Sequence, residues 1–318
     1  MAKVYNNFVG IDIGKTEFVV NIHGSKKTYS YPNTIEGLSE FYQAHKKVLS
    51  DSLIVLEVTG GYERLTINYL QNKGLAVHRA SGRRVKNFIR SLDIIGKSDQ
   101  IDATALALYA SERHSTLPLY EPSKYDLLRE LSGRRSDLVK MRTQEKNRSQ
   151  APGSQVLSET YAKMIEVLNE QISAIEAQIS QFIASDPDLQ RKYDILLTVP
   201  GIGPVTAGTL LSQMPEIGTM NQKQVASLAG VAPHPNQSGS RIGYRRTRGG
   251  RREIRSTLYV GAMAASKGKT ELGLFYKKLI GRGKAPRCAF MAVMRKMVVI
   301  GNARIRDDFK NNGLAFIH

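Results

Sequence analysis

Two apolar runs, each interrupted by one carboxylate, constrain the fold more than any other feature of the sequence. Phe8-Val-Gly-Ile-Asp-Ile-Gly14 sets Asp12 between Ile11 and Ile13, and Ser52-Leu-Ile-Val-Leu-Glu-Val58 sets Glu57 between Leu56 and Val58. Short apolar runs closed by glycine read as buried strands. A carboxylate inside such a strand is costly unless it is paired or meets a cation. The chain must therefore build a sheet in which two interior strands carry acids to a site that compensates them.

The neighbouring segments complete an α/β pattern. Glu17–Ile22 and Lys27–Tyr31 read as strands joined by tight turns, and Leu75–His78 as a fifth strand. Ile35, Leu38, Phe41 and Tyr42 follow Asn33 as an expected helix cap, and Tyr62, Leu65 and Tyr69 are spaced for a helix ending at Gly74. Further helical patterns cover Val85–Ile89 and Ile101–Ala110. The expected first domain, residues 1–122, is α/β.

Residues 123–188 read as a helical hairpin. Leu127, Leu131, Leu138 and Met141 are expected on one side of a charged helix, broken at Ala151-Pro152-Gly153. Tyr161, Ile165, Leu168, Ile172, Ile175, Ile179 and Phe182 then form a heptad seam, which favours a coiled coil within the chain and with a second subunit. Residues 189–318 are expected to form a basic, mainly α-helical domain. Pro200-Gly-Ile-Gly203 resembles the turn of a helix-hairpin-helix module, whose backbone N–H groups can meet a phosphate or simply pack. Gly239–Gly250 reads as a Gly/Arg-rich loop.

Charge is unevenly placed. Of 46 Lys plus Arg and 28 Asp plus Glu, residues 1–190 hold 24 and 22, leaving 22 and 6 for residues 191–318. A net excess of 16 in the last part fits a polyanionic partner, because neutralising phosphates releases counterions. The single Cys288 excludes a disulfide framework and a Cys-based zinc site. No apolar leader and no unbroken apolar run of membrane-spanning length occur, so the expected location is the cytoplasm, on the nucleoid when active.

Asp99 and Asp102, spaced i and i+3, share one face of a helix. With Asp12 and Glu57 they make a set of hard oxygen donors suited to Mg²⁺, with Mn²⁺ as a substitute, of the kind that serves phosphoryl transfer. Taken singly, each acid also has a plain structural role, such as Asp99 as a helix cap.

At these residues the sequence resembles a family. Gly10-Ile-Asp-Ile-Gly-Lys15, Leu56-Glu-Val-Thr-Gly-Gly61 and Gly96-Lys-Ser-Asp-Gln-Ile-Asp-Ala103 look like the DEDD transposases of bacterial insertion sequences. That family includes the bridge-RNA-guided recombinases and has the pilin-gene invertase Piv as a relative. A second block matches in order: Leu228-Ala-Gly-Val-Ala-Pro233, Ser238-Gly239, Arg248-Gly-Gly-Arg251 and Arg255-Ser-Thr-Leu-Tyr259. The resemblance implies a RuvC-like, ribonuclease-H-type first domain with Asp12, Glu57, Asp99 and Asp102 as metal ligands. It implies Ser238 as a nucleophile forming a transient serine–DNA linkage, donor and target DNA as substrates, a non-coding guide RNA, and a dimer or tetramer.

Seven arginines follow Ser238 in close succession: Arg241, Arg245, Arg246, Arg248, Arg251, Arg252 and Arg255. Such guanidinium groups clamp phosphates bidentately and stabilise developing charge. Ser240 is a rival nucleophile. An actin-like ATPase or sugar kinase shares the Gly-Ile-Asp-Ile-Gly opening but needs further Gly-rich phosphate motifs. A junction nuclease leaves Ser238 and its arginines unused, and a non-catalytic nucleic-acid-binding protein leaves the four acids unused.

Overall fold

The computed structural model describes residues 5–93, 96, 98–238 and 241–312. The chain divides between Pro122 and Ser123 into two compact units.

In the first unit the elements run β1 (Asn7–Ile13), β2 (Glu17–Ile22), β3 (Thr28–Pro32), α1 (Ile35–Leu49), β4 (Ser52–Glu57), α2 (Glu63–Asn72), β5 (Ala76–Ala80), α3 (Gly82–Ser91) and α4 (Asp99–Arg113). The sheet order is β3-β2-β1-β4-β5. The first three strands are antiparallel, and β4 and β5 run parallel to β1.

Strand periodicity sorts the side chains between two helical layers. Val9, Ile11, Ile13, Ile54 and Leu56 pack with Leu38 and Phe41 of α1 and Ile67 and Leu70 of α2. Leu53 and Val55 pack with Val85 and Phe88 of α3 and Leu106, Tyr109 and Ala110 of α4. Burial on both faces is why β1 and β4 read as nearly continuous apolar runs. Asp12 and Glu57 share the parity of Gly10 and Val55, which puts them on the α3/α4 side.

Two local expectations are corrected. Thr34, not Asn33, caps α1, its Oγ1 accepting from the Gly37 N–H at 3.2 Å. Asn33 instead donates to the Gly14 carbonyl at 3.0 Å and the Tyr62 carbonyl at 3.4 Å. Helix α2 buries Thr66, Ile67 and Leu70, leaving Tyr62 and Leu65 exposed, because Tyr62 stands at the cap and the buried stripe starts at Glu63.

The second unit opens with α5 (Asp126–Ser149) and α6 (Ser158–Ala184). They are antiparallel: Arg135 pairs with Glu176 at 2.6 Å and Arg142 bonds Asn169 at 2.9 Å, one number rising as the other falls. Leu138 packs with Leu168 and Ile172 of the heptad seam. The expected α5 face is corrected, since Leu128 and Leu138 are buried while Leu127 and Met141 lie exposed.

There follow α7 (Pro187–Leu197), α8 (Pro204–Gln213), α9 (Gln222–Leu228), β6 (Pro233–Ser238), β7 (Arg241–Thr247), α10 (Arg252–Lys267), α11 (Glu271–Gly281) and α12 (Pro286–Asn311). Leu196, Leu210, Val225, Ile254, Leu258, Met297 and Ile305 are among the buried residues of their shared core. Gly201, in the α7–α8 turn at φ 85°, sits against the backbone of Gly261 in α10, so packing occupies this glycine. The unit is mostly helical. Among the described residues no helix is long and apolar enough to cross a membrane.

Candidate active site

The acidic site is set by how closely α4 approaches β1. A Cβ placed on Gly10 would overlap the backbone of Ala103 and Ala107, both fully buried. Glycine and alanine thus let helix and strand backbones touch, and the first turn of α4 comes to the strand that bears Asp12. Ser98 caps that turn, its Oγ accepting from the Ile101 N–H at 3.3 Å. Asp99 is therefore the first helical residue rather than the cap. Asp99 is exposed and Asp102 half-buried.

The last paired residues of β1 and β4 are Ile11 and Leu56, so Asp12 and Glu57 come next at the same end of adjacent parallel strands. In open α/β sheets this carboxyl end is where ligands bind. The Glu57 carboxylate lies over Gly82, the first residue of α3, where any Cβ would overlap Oε1. A helix N-terminus favours an anion at this place.

Asp12 feels the other three acids. Asp12 is pushed up from 3.8 to about 6, first by burial and then by the charges of Asp102, Asp99 and Glu57, with the Ile13 N–H pulling the other way. Among the described residues no three acids or histidines stand close enough to hold a metal ion as placed. The donor set nonetheless suits a hard divalent cation, since carboxylate oxygens are its preferred ligands and the fold brings Asp12 and Glu57 to one end of adjacent strands, with the α4 turn of Asp99 and Asp102 packed on the first of them.

Sequence reasoning passed over Glu63. Its side chain is 0% exposed. Oε2 accepts from the Gly61 N–H at 2.8 Å, the Thr59 N–H at 3.2 Å and the Thr59 hydroxyl at 3.3 Å. Oε1 accepts from Arg79 Nε at 3.1 Å. Burial pushes this carboxyl up, yet the hydrogen bonds from its own N–H, Arg79, Gly61 and Thr59 outweigh that and hold it below the ordinary range. The only signal in the sequence was an acid just past a Gly-Gly turn, which is also an ordinary helix-start residue.

In the second unit the expected Gly/Arg-rich loop is instead a β-hairpin as far as Thr247. Pro233 pairs with Thr247, His234 with Arg246 and Ser238 with Arg241, with an irregular register between His234 and Asn236. Ile242 and Tyr244 alternate with other residues as strand formers do. Gly239 and Ser240 lie outside the described residues, as do the side chains of Ser238 and Arg241. Arg245, Arg246, Arg248 and Arg252 are exposed. Arg255 is half-buried and donates to the Gly249 carbonyl at 3.2 Å.

Arg251 is engaged differently. Its guanidinium holds Glu216 through two bonds of 2.9 and 3.0 Å and also reaches the Gln213 carbonyl. Burial pushes Glu216 up, but Arg251 and its own N–H bring it below the ordinary range. Tyr259 meets Phe290 edge-on at 5.7 Å and packs on the core. A further exposed basic cluster, Lys277, Lys278, Arg282, Lys284 and Arg287, surrounds the α11–α12 turn without an intervening acid.

Both sites fall within matches to transposase families. Residues 9–161 match a transposase model of the IS110 DEDD type, and residues 193–277 match the transposase IS116/IS110/IS902 family. The chain carries both transposase domains of the IS110 family. Pilin gene-inverting proteins of Moraxella bovis and Moraxella lacunata are each 29% identical over 323 residues, covering 97% of both chains. An uncharacterized insertion element IS110 protein of Streptomyces coelicolor is 30% identical over 149 residues, 46% of this chain and 36% of its own.

An IS110-family protein is an enzyme that cleaves and recombines DNA. The first family match takes in all four acids and Glu63, and the second takes in the β6–β7 hairpin, Ser238 and the arginines up to Arg255. The α11–α12 turn lies just past the end of the second match.

Proposed function

We propose that this IS110-family protein transposes its insertion sequence by cutting and rejoining DNA, using the four acids and Ser238 at steps guided by a non-coding RNA. The observation that carries the reading is the placement of Asp12 and Glu57 at the carboxyl end of adjacent parallel strands, with the α4 turn that bears Asp99 and Asp102 packed against the strand of Asp12. The strand order β3-β2-β1-β4-β5, three antiparallel strands and two parallel ones, supports a RuvC-like fold for residues 1–122.

Asp12, Glu57, Asp99 and Asp102 would hold Mg²⁺ or Mn²⁺. When bound, such a cation would supply Lewis-acid chemistry that stabilises the charge developing in phosphoryl transfer. Ser238 gives up its hydroxyl proton as Oγ attacks a DNA phosphate; the new Oγ–P bond replaces the phosphodiester P–O bond, and the released strand end keeps that oxygen and takes up a proton as a hydroxyl. Reversal of this step onto a second strand rejoins DNA without an external energy source. Arg245, Arg246, Arg248 and Arg252, exposed around the hairpin, seat the phosphates and offset the charge that builds during attack. The α5–α6 hairpin supplies contacts between protomers of a dimer or tetramer.

A second reading, DNA inversion, is favoured by the match to the pilin gene-inverting proteins along 97% of both chains. One experiment addresses both. The protein is purified from a host carrying its native flanking DNA, the co-purifying RNA is sequenced, and the complex is given paired sites on one plasmid or on two. A discrete RNA from sequence next to the gene, with strand exchange between plasmids, supports guided transposition. Exchange confined to inverted sites on one plasmid, without a discrete RNA, overturns it in favour of inversion.

A further inference from the structure

The turn that follows Glu57 is held by a carboxylate with no part in the reaction proposed above. Thr59, Gly60 and Gly61 connect β4 to α2, and Gly60 and Gly61 have φ of 76° and 114°. Such a turn has few intrinsic constraints, because glycine populates these conformations freely. Its constraint comes from Glu63. One oxygen of that carboxylate gathers the N–H groups of Thr59 and Gly61 together with the Thr59 hydroxyl. The other is fixed by Arg79 on β5, the strand adjacent to β4.

On the other side of the turn, Asn33 donates to the Tyr62 carbonyl and to the Gly14 carbonyl. Gly14 follows the strand that carries Asp12. The two turns beside Asp12 and Glu57 are thus joined to each other, and one of them is clamped to β5.

A fully buried carboxylate is expensive to keep. Packing alone would be served better by an apolar residue at this position. Three donors of a single turn gathered on one buried carboxylate, with Arg79 holding its other oxygen, indicate that the position of that turn next to an acid of the site matters. We propose that Glu63, clamped by Arg79, is a positioning residue that fixes the Thr59–Gly61 turn and through it the direction of Glu57 toward a divalent cation. The cation belongs to the function proposed above, so the coupling part of this inference rests on that reading, while the clamp itself does not.

Glu63→Gln keeps the volume and can still accept from Arg79, but its amide nitrogen cannot accept from Thr59 and Gly61. Two measurements on the full chain separate the parts. Hydrogen exchange without metal reads the turn: the Thr59 and Gly61 amides are expected to exchange about 10-fold faster or more in Glu63→Gln, the loss of one hydrogen bond to a charged group, with the core strands unchanged. Mn²⁺ titration followed by electron paramagnetic resonance reads the coupling. Supporting partners of metal ligands typically control about 10–100-fold in affinity, and Glu63→Gln is expected to weaken Mn²⁺ binding within that range, below its unfolding temperature.

Asp12→Asn serves as the control for the site. Tight Mn²⁺ binding in wild type that Asp12→Asn abolishes and Glu63→Gln leaves unchanged overturns the positioning role and reduces Glu63 to a stabilising residue. Equal Mn²⁺ binding in wild type and Asp12→Asn removes the metal site and with it the coupling. Unchanged exchange at Thr59 and Gly61 in Glu63→Gln overturns the clamp, whatever the metal does.

Discussion

Gly10 in β1 and Ala103 in α4 meet backbone to backbone, with no room between them for a methyl group. This close approach sets the distance between the strand that carries Asp12 and the helix turn that carries Asp99 and Asp102. Gly10→Ala must push α4 outward, and overpacking of this kind costs about 1–3 kcal/mol. Thermal unfolding should show the first unit destabilised. Metal-dependent DNA cutting should fall further than the smaller folded fraction explains. Wild-type activity in a destabilised Gly10→Ala protein would show that the spacing is not limiting.

The pH dependence of Asp12 has a definite sign. Its carboxyl is raised in the fold from 3.8 to about 6. Between those values the folded chain binds more proton than the unfolded chain, so this group favours folding at low pH and opposes it as pH rises through the window. A cation that replaces the proton reverses the effect. Mn²⁺ should therefore raise the unfolding temperature clearly at about pH 7.5 and little at about pH 5, where the proton competes. Asp12→Asn should remove both the pH-dependent term and most of the Mn²⁺ shift. Equal Mn²⁺ shifts at the two pH values would contradict this assignment.

Arginines in the second block divide by what they touch. Arg251 is bound to Glu216 and the Gln213 carbonyl, whereas Arg248 is exposed. Arg251→Ala should cost about 1–3 kcal/mol in folding, the range for leaving Glu216 and the Gln213 carbonyl without their partner. Arg248→Ala should leave stability within about 0.5 kcal/mol. Duplex binding should show the opposite pattern. Each phosphate that a guanidinium no longer neutralises lowers the salt slope of log K by about 0.9. Arg245→Ala combined with Arg248→Ala should therefore flatten it by up to about 1.8. An unchanged slope would place the duplex elsewhere on the protein.

Strand positions and the acids in them were legible because burial on both faces leaves an unbroken apolar run, in which Asp12 and Glu57 stand out. Caps and helix faces were less so. Asn33 and Thr34 are both good caps, and only the Gly37 N–H distinguishes them. In α2 and α5 a stripe offset from the expected one is buried, since Tyr62, Leu65, Leu127 and Met141 have equal hydrophobic claims until the neighbouring element is placed. The β6–β7 hairpin was hidden by its glycines and arginines, which read as a loop. The roles of Glu63 and Arg251 depend on partners at a distance along the chain, Arg79 and Glu216, and no local spacing announces them.

A covalent link between Ser238 and DNA can be trapped and located chemically. Purified protein, its co-purified RNA and DNA carrying the native junctions are incubated with Mg²⁺, stopped in denaturant, and any protein–DNA adduct is digested and mapped by mass spectrometry. The adduct should lie on Ser238 in wild type, vanish in Ser238→Ala with DNA binding retained, and vanish in Asp12→Asn or on chelation. DNA cutting that persists in Ser238→Ala, or an adduct mapped to Ser240 or to a tyrosine, would contradict it.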